Sequence, residues 1–290
     1  MVRIALPNKG RIFEPVMNLF ERAGLHVIDH SERSLFAKTV DEDITLLFAR
    51  SRDIPGYVEN GAADLGITGK DFICESGADV EVLLDLGLGR ADLVLAVPEE
   101  SKFERPEQLA GHKVATEFPE ITRRYFEGRG VDVHVVEVCG ATEITPHIGV
   151  ADAIVDLTSS GTTLSMNHLK VVDRVLSTSQ MLIASRASME GNGRKIAEIT
   201  TALHSVIEAQ GKRYLMMNVP VAALEAVKQK LPGMAGPTVM KVEASSDARV
   251  GAFCAVHAVV HEREIYKVIN DLKEVGARDI LIVPIERIVR

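Results

Sequence analysis

The sequence predicts an α/β protein with a larger N-terminal part and a smaller C-terminal domain. In the N-terminal part, short apolar runs alternate with amphipathic stretches, a pattern that is typical of βαβ units. From residue 212 onward the order of elements is instead β-α-β-β-α-β, which is typical of a ferredoxin-like sandwich. A chain of 290 residues is long enough to bury the cores of both parts.

Strands in the N-terminal part are predicted wherever a short apolar run is bounded by glycine, proline or polar residues. The first run leads into a polar turn and then into a helix, whose apolar residues recur at helical spacing between Ile12 and Ala23. Gly24 is expected to end that helix. The predicted strands cover residues 2–6, 44–49, 65–68, 81–86, 93–97, 114–116, 133–138, 153–157 and 180–185.

The C-terminal domain is predicted to follow a helix that ends at Gln210-Gly211. One of its helices is expected to open at Pro220, because proline suits the first turn of a helix, and to stop at Pro232-Gly233. A second helix is expected from His261. The strands of this domain are predicted at residues 213–219, 238–243, 252–260 and 280–283.

Composition and charge exclude several classes of function. The net charge of −8 argues against a general nucleic-acid binder, which normally carries a basic face. No apolar run approaches the roughly 20 residues that cross a bilayer, so we expect no membrane partner. The first residues lack the features of a secretory signal, and we expect a cytoplasmic protein. Its scattered cysteines fit neither a disulfide framework nor a zinc site.

The segment richest in chemistry is an apolar strand that carries Asp152 and Asp156 and leads into a hydroxyl-rich turn. A helix is expected to start at about Thr162, and free N–H groups at a helix N-terminus favour an anion such as a phosphate. Hydroxyls add donors, and a glycine allows close backbone approach. The two aspartates share one face of the strand, where they can accept from ribose hydroxyls or hold hydrated Mg²⁺. The turn consists of Thr158, Ser159, Ser160, Gly161, Thr162 and Thr163.

A second interpretation of this turn stays open on these residues alone. Serine and threonine commonly cap helices without binding a ligand, so residues 158–163 also suit a capped loop. The segment lacks the G-x-x-x-x-G-K-[ST] spacing of a P-loop.

Residues 143–164 read E-I-T-P-H-I-G-V-A-D-A-I-V-D-L-T-S-S-G-T-T-L, and this segment resembles the signature of the ATP phosphoribosyltransferases. That signature places a glutamate upstream, then a glycine, an apolar-x-D strand end and [ST]-G-x-T-L. The family resemblance continues in L-P-N-K-G-R at 6–11, R-S-R-D-I-P at 50–55 and A-D-L-G-I-T-G-K-D at 63–71. G-P-T at 236–238 and L-K-E-V-G-A-R-D-I-L at 272–281 resemble the regulatory domain of the long form.

The resemblance implies a catalytic part of two α/β lobes like those of type II periplasmic binding proteins, with the active site in the cleft between them. Lobe I is expected to comprise residues 1–90 and 180–210, and lobe II residues 91–179. The chain would therefore cross between lobes near Arg90 and Ser179. A ferredoxin-like regulatory domain is expected at residues 212–290.

The resemblance also implies the reaction. An adenine ring nitrogen of ATP attacks the anomeric carbon of phosphoribosyl pyrophosphate (PRPP) and pyrophosphate leaves, which is the first step of histidine biosynthesis. Such chemistry needs positioning and charge neutralisation more than a strong base, with Mg²⁺ as the cofactor.

By match to the family motifs, catalysis is assigned to Arg11, Glu143 and Asp156, and PRPP binding to Asp152, Asp156 and residues 158–163. ATP binding is assigned to Lys9, Gly10, Arg11, Arg50, Gly69, Asp71 and Arg90. Asp152 and Asp156 are also assigned to the metal, which is expected to be held largely through the substrate.

The same resemblance implies feedback inhibition by histidine, bound between the C-terminal domains of neighbouring subunits. It also implies a homo-oligomer that converts from dimers to hexamers. Asn218, Thr238 and Ala258 match positions near the effector, although the family pattern has an acidic residue at the position of Asn218. A chain with its own regulatory domain is expected to need no separate regulatory subunit.

The alternative function is a non-catalytic, two-lobed protein that binds a small ligand or senses an effector. The hydroxyl-rich turn with its paired aspartates is more than a solute cleft needs, and no secretory signal points to an extracellular receptor. A plain binder would require neither both substrates nor magnesium, so a calorimetric titration separates the two functions.

Overall fold

The computed structural model describes residues 1–28, 34–231, 236–242 and 252–290. The chain forms two compact units, Met1–His204 and Ser205–Arg290. Their boundary lies within one long helix, a few residues before position 212, where the sequence places the start of the C-terminal domain. Within the described ranges, no helix combines the length and the apolar character that crossing a membrane requires.

The strands of the first unit are short, and most of them are buried because apolar side chains cover both faces of the sheets. In chain order they are β1 (Val2–Pro7), β2 (Val27–Ile28), β3 (Phe36–Thr39), β4 (Ile44–Ala49), β5 (Leu65–Gly69), β6 (Glu81–Asp85), β7 (Ala91–Pro98), β8 (Lys113–Thr116), β9 (His134–Glu137), β10 (Ala153–Thr158), β11 (Leu169–Thr178) and β12 (Gln180–Ala184). The strands of the second unit are β13 (Lys212–Pro220), β14 (Thr238–Lys241), β15 (Phe253–His261) and β16 (Arg278–Pro284).

The helices bury one apolar face each, as their periodicity predicts. The first helix buries Val16, Leu19 and Phe20 and ends just before Gly24, which has a positive φ of 79°. In chain order the helices are α1 (Phe13–Arg22), α2 (Ile54–Glu59), α3 (Lys70–Ser76), α4 (Pro119–Glu127), α5 (Thr162–Met166), α6 (Arg186–Ala209), α7 (Leu224–Lys230) and α8 (Glu262–Glu274).

Two sheets build the first unit. Among the described strands, the first sheet has the order β2-β3-β4-β1-β5-β12-β6 and the second has the order β11-β7-β10-β8-β9. We refer to the parts built on these sheets as the first lobe and the second lobe. The central strands of each sheet are parallel: β1 pairs with β4 and β5 in the first, and β8 pairs with β10 and β9 in the second.

The chain crosses between the lobes twice. It leaves the first lobe after β6 and enters the second lobe as β7, and it returns from β11 directly into β12. Each entering strand takes an equivalent place, since β7 lies between β10 and β11 and β12 lies between β5 and β6. Each is antiparallel to both of its neighbours. The two lobes are therefore joined through the interiors of their sheets.

The second unit contains a sheet with the order β14-β15-β13-β16 in the described residues, and its strand pairs are antiparallel. With α7 after β13 and α8 after β15, the element order is that of a ferredoxin-like sandwich. The predicted fold class, two α/β lobes of the periplasmic-binding-protein type followed by a ferredoxin-like domain, is confirmed. Pro232 and Gly233, expected to stop a helix, and Glu243, expected to end a strand, lie outside the described residues.

The sequence pattern does not predict the short strands β2 and β3, nor β11, which spans ten residues. In β11 the cause is visible in the structure. Its pairing with β7 shifts register twice, between Val171 and Asp173 and between Arg174 and Leu176. Each irregularity interrupts the alternation of inward and outward side chains, so the two-residue period by which a strand is recognised is lost.

The centre of the first sheet depends on a residue without a side chain. Gly66 of β5 is overlaid by α2 and neighbours β12. A Cβ added there would lie 2.5 Å from Cγ2 of Ile54, 2.8 Å from Cγ2 of Val58 and 3.3 Å from Cγ1 of Ile183. The helix therefore packs directly on the backbone of the strand.

We expect Gly66→Ala to lower the free energy of unfolding by about 1–3 kcal/mol, because the added methyl group overpacks a fully buried core. Gly56→Ala in α2 is the matched control. No atom lies within 4 Å of a Cβ added there, and alanine is the better helix former, so this variant should be at least as stable as the wild type. Urea unfolding measures both changes, and equal midpoints for the two variants would contradict the close contact at Gly66.

Candidate active site

The site is built at the edge of the first sheet where β4, β1 and β5 end side by side. β1 and β4 stay in register up to Pro7 and Ala49, and the N–H of Asn8 donates to the carbonyl of Ala49 over 2.8 Å. The polar segments that follow these parallel strands therefore meet at one edge, which is the usual position of ligand sites in α/β proteins.

Three of the cations predicted to bind ATP lie at this edge. Lys9 and Arg11 flank Gly10 in the turn after β1, where Gly10 has a positive φ of 89°. Arg50 directly follows β4. Their side chains are exposed, and within the described part of the chain none of the three forms a hydrogen bond or an ion pair. This edge therefore presents uncompensated positive charge, as binding of phosphates requires.

A cavity of about 370 Å³ opens between this edge and the second lobe. We call it the first cavity. Arg11 of the first lobe lines it, and so do Thr158 and Ser159 of the hydroxyl-rich turn in the second lobe. Arg90 and Asp71 also line it, so five of the residues predicted from sequence converge there. Lys9, Gly10, Arg50 and Gly69 lie at the same sheet edge but outside the lining.

Asp71 is held by the chain crossing rather than free to bind a ligand. It is only 4% exposed, and burial raises the pKa of its carboxyl. The hydroxyl of Thr178 donates to the Asp71 carboxylate over 2.7 Å, and the N–H of Asp71 donates to the same hydroxyl over 3.1 Å. A Cβ added at Gly69 would lie 2.1 Å from Asp71 Oδ1, so Gly69 is needed to make room for this carboxylate. Both residues act by fixing the junction of the lobes.

The hydroxyl-rich turn follows β10 and carries its own internal hydrogen bonds. The N–H of Gly161 donates to Thr158 Oγ1 over 2.9 Å, and Ser160 Oγ lies 2.9 Å from Thr162 Oγ1. Gly161 has a positive φ of 75°. Thr162 and Thr163 begin the short helix α5. Within the described chain, the N–H groups of residues 159, 160 and 163 have no acceptor, so they remain available to an anion.

Asp156 and Glu143 form an acidic group behind this turn. Burial raises the pKa of Asp156 to about 6, against a donated hydrogen bond of 2.7 Å from the N–H of Leu157 that lowers it. The charges of Glu143 and Glu117 also contribute to this raised value. Glu143 lies in the short turn Thr142–Ile144. A carboxyl whose pKa is raised by burial and like charges is typical of functional sites.

Asp152 does not belong to this group, and the prediction that pairs it with Asp156 is corrected. Asp152 precedes β10, and its carboxylate accepts from the N–H of Lys113 over 2.9 Å and lies 3.3 Å from Nδ1 of His112. At about 3.3 Å per residue, Asp152 and Asp156 are separated by about 13 Å along the strand. One metal ion or one ribose cannot contact both carboxylates, so Asp152 holds the neighbouring strand instead.

A second cavity of about 530 Å³ shares Arg90, Ala91, Ser159 and Thr178 with the first. Lys70 lines it, and this residue is not among the site residues predicted from sequence, although it stands beside Asp71 in the A-D-L-G-I-T-G-K-D motif. Gln180, which lines the first cavity directly after the second crossing, is also absent from the predicted site residues. The sequence does contain a signal for both residues: Lys70 precedes Asp71, and Gln180 follows the crossing expected near Ser179.

The three predicted effector residues do not share one surface. Asn218 pairs with Ala255 and Thr238 pairs with His257, so Asn218 and Thr238 lie on the same face of the C-terminal sheet. The side chain of Ala258 points to the opposite face and is buried in the core under α7 and α8. The Ala258 side chain therefore packs in the core, and its place near the effector stays a prediction. Nδ2 of Asn218 donates to Asp279 over 2.9 Å, so a carboxylate lies beside Asn218 where the family pattern has an acidic residue.

Comparison with known proteins gives one consistent result. The family model described as HisG, ATP phosphoribosyltransferase, matches residues 50–205. The model described as HisG, C-terminal domain, matches residues 209–287. The two matches cover most of both compact units.

Similar proteins carry the same description. An ATP phosphoribosyltransferase of Methanocella arvoryzae is 80% identical over 290 residues, with all of both chains covered. One of Methanothermobacter thermautotrophicus is 53% identical over 289 residues, covering 99% of each chain. Among solved structures, the ATP phosphoribosyl transferase (HisG:HisZ) complex from Thermotoga maritima is similar with a TM-score of 0.64 and 29% identity, covering 72% of this chain and 99% of that one.

The raised pKa of Asp156 predicts a pH-dependent effect of Asp156→Asn. Because the folded-state pKa lies above the ordinary value of 3.8, the ionised carboxylate destabilises the fold increasingly as the pH rises from about 4 to 6. We expect the variant to melt at a higher temperature than the wild type at neutral pH and at the same temperature near pH 4. Thermal unfolding in buffers without divalent metal measures this difference.

Asp173→Asn is the control for Asp156→Asn. Hydrogen bonds from the Tyr125 hydroxyl and Arg129 hold the pKa of Asp173 below its ordinary value, so its stabilisation is complete above about pH 4. The control should therefore be less stable than the wild type by an amount that does not change between about pH 5 and 7. If the melting temperature of Asp156→Asn exceeded that of the wild type by the same amount at every pH, the raised pKa of Asp156 would be contradicted.

Proposed function

The chain belongs to the ATP phosphoribosyltransferase family, and we propose that it joins ATP to PRPP in the cleft between its two lobes. The observation that carries the location is the first cavity, where Arg11 of one lobe faces Thr158 and Ser159 of the other. Membership of this family supports an enzymatic function over the alternative, a non-catalytic two-lobed binding protein. The product is N1-(5-phosphoribosyl)-ATP, which makes the chain a pentosyltransferase of histidine biosynthesis.

The hydroxyl-rich turn is the proposed site of the 5-phosphate of PRPP. The free N–H groups of residues 159, 160 and 163 and the hydroxyls of the turn are hydrogen-bond donors suited to a phosphate. The helix that follows has only five residues, so the donors matter more than its dipole. Asp156, two residues before the turn, is placed to accept from a ribose hydroxyl. The sugar would thus be held at the second lobe with its anomeric carbon toward the first.

The cations of the first lobe are the proposed site of the pyrophosphate and of the ATP phosphates. Lys9, Arg11 and Arg50 are unpaired within the described chain and stand at one sheet edge, and Arg90 extends this charge to both cavities. The reaction breaks the bond between the anomeric carbon and pyrophosphate while the bond to adenine N1 forms. Fixed positive charge at the leaving group stabilises the developing pyrophosphate, and no strong base is required because N1 carries a lone pair.

Magnesium is proposed to enter with the substrates. In the described residues no three Asp, Glu, His or Cys side chains converge on a point where they could hold a metal ion. Asp156 fits as a single carboxylate ligand, the arrangement that Mg²⁺ commonly adopts when substrate phosphates and water complete its coordination. Bound there, Mg²⁺ would neutralise part of the pyrophosphate charge.

We further propose regulation and assembly in the manner of the long-form enzymes. L-Histidine would bind on the face of the C-terminal sheet that carries Asn218 and Thr238, with Asp279 as the partner of its ammonium group. The lobes would comprise residues 1–90 with 180–210 and residues 91–179, and the regulatory domain residues 212–290. We infer a cytoplasmic homo-oligomer, dimeric or hexameric, that needs no separate regulatory subunit.

The function is tested with the purified chain, ATP, PRPP, Mg²⁺ and pyrophosphatase. We expect phosphoribosyl-ATP to form, to depend on both substrates and on Mg²⁺, and to form more slowly when L-histidine is added. The product is followed by its absorbance and identified by mass spectrometry. No product under these conditions would reject the catalytic proposal, and turnover unaffected by histidine would reject the regulatory one. Calorimetric titration with each substrate alone shows whether binding occurs without turnover.

Arg11→Ala tests the placement of the active site. We expect at least about a tenfold loss in kcat/KM, the size of one charge-assisted contact in the transition state. Arg194→Ala removes the same charge from an exposed position on α6, where the arginine pairs only with Glu198 among the described residues. The control should retain wild-type kinetics. Equal rates for the two variants would remove Arg11 from the site.

A further inference from the structure

Gln180 lines the first cavity, and its side chain carries a buried hydrogen-bond acceptor that has no partner. Its Oε1 is the one buried side-chain oxygen or nitrogen of the described chain that lacks a hydrogen-bond partner. Gln180 is only 8% exposed, and it lines the first cavity with Arg11 and Thr158. Because an unpaired buried acceptor destabilises a fold, its presence in a substrate cavity points to a ligand that completes it.

The backbone of Gln180 is fixed in place. Its N–H donates to the carbonyl of Leu88 and its carbonyl accepts from the N–H of Leu86, each over 2.9 Å. As the first residue of β12, it also pairs with Gly69 of β5. The residue cannot move away from the cavity, so only its side-chain torsions adapt to a ligand. The outer bonds of a glutamine side chain turn easily, and its oxygen and nitrogen can exchange places.

The surroundings of this carboxamide suit a flat heteroaromatic ring. Ile12, Phe72 and Leu157 give the first cavity an apolar wall. A Cβ added at Gly89 would lie 2.3 Å from Cδ1 of Ile12 and 3.7 Å from Nε2 of Gln180, so the carboxamide and Ile12 border the same narrow space. Apolar walls with one polar group that fixes orientation are typical of sites for bases and cofactors.

We propose that Gln180 recognises the adenine of ATP through its 6-amino group and N7. In this arrangement Oε1 accepts from the 6-amino group and Nε2 donates to N7, the two-bond pairing that glutamine forms with adenine elsewhere. The inference rests on the proposed function, in which N1 attacks. N1 lies on the opposite side of the 6-amino group from N7, so the contact orients the base and leaves N1 free. Guanine presents acceptors at both O6 and N7, so Gln180 cannot pair with both of them.

The test compares ATP with 7-deaza-ATP, which lacks N7 but keeps N1 and the 6-amino group. The ratio of kcat/KM for the two nucleotides is measured in the wild type and in Gln180→Met, so that any intrinsic difference in reactivity cancels between the proteins. We expect the wild type to prefer ATP about tenfold, and Gln180→Met to show a ratio near one. An unchanged ratio in Gln180→Met overturns the proposal, whereas a wild type that makes no product refutes the proposed function instead.

A second variant resolves the two hydrogen bonds. Glutamate accepts from the 6-amino group but cannot donate to N7. Gln180→Glu should therefore lose the discrimination against 7-deaza-ATP and keep the discrimination against purine riboside triphosphate, which lacks the amino group. Loss of neither preference in this variant would also overturn the proposal. Gln210→Met, at an exposed glutamine in the second unit, is the matched control and should keep both wild-type ratios.

Thermal unfolding provides a readout that does not depend on activity. Gln180→Met removes an acceptor that has no partner, so its melting temperature should equal or exceed that of the wild type. A lower melting temperature would mean that Oε1 is satisfied within the fold, and the proposal would lose its premise. If Gln180→Met proves inactive, calorimetric titration with ATP and 7-deaza-ATP in the absence of PRPP supplies the same comparison of ratios.

Discussion

The candidate active site depends on the double crossing of the chain between the lobes, and buried hydrogen bonds between Asp71 and Thr178 are among those that hold this crossing together. The hydroxyl of Thr178, the last residue of β11, donates to the carboxylate of Asp71 at the start of α3. Asp71 is almost fully buried, so loss of either partner would leave a polar group unpaired in the interior. Through this bond the end of β5 and the end of β11 are fixed together, and Arg90, Ser159 and Gln180 keep their places around it.

A second connection between the lobes is made by α3 and α4. The Glu75 carboxylate accepts from the N–H groups of Glu120 and Ile121, which have no partner within α4 because they lie in its first turn. A carboxylate at a helix N-terminus also interacts favourably with the helix dipole. The rings of Phe72 and Phe118 lie 5.8 Å apart beside this cap. A change in the angle between the lobes therefore disturbs charge-assisted hydrogen bonds as well as apolar contact.

The sequence predicts the parts of this protein that depend on local pattern. Strands such as β4 and β5 follow from apolar runs, and the turn at 158–163 follows from its hydroxyls and its glycine. It does not predict what long-range contacts decide. β11 loses its period at two bulges, and the bond between Asp71 and Thr178 joins residues 107 positions apart. Asp152 was misassigned because alternation along a strand gives the face of a residue but not which end of the strand carries the site.

Several polar groups that lack a partner, or whose ionisation is disfavoured, lie at the cleft of the first unit. Three cations at the first sheet edge have no partner in the described chain, the carboxyl of Asp156 has a raised pKa, and Oε1 of Gln180 accepts no hydrogen bond. The buried carboxyl and the buried oxygen lower the stability of the free protein, whereas the cations are exposed to solvent. Under the proposed function each of these groups would be complemented by a feature of the substrates: phosphate charge, an accompanying cation or a base edge. A cation bound beside Asp156, as proposed, would lower the pKa of that carboxyl and remove the penalty of its ionisation, so part of the stability lost in the free protein would return as affinity for the substrates. If these groups were paired within the fold, they would no longer be available to bind ATP and PRPP in the proposed sites.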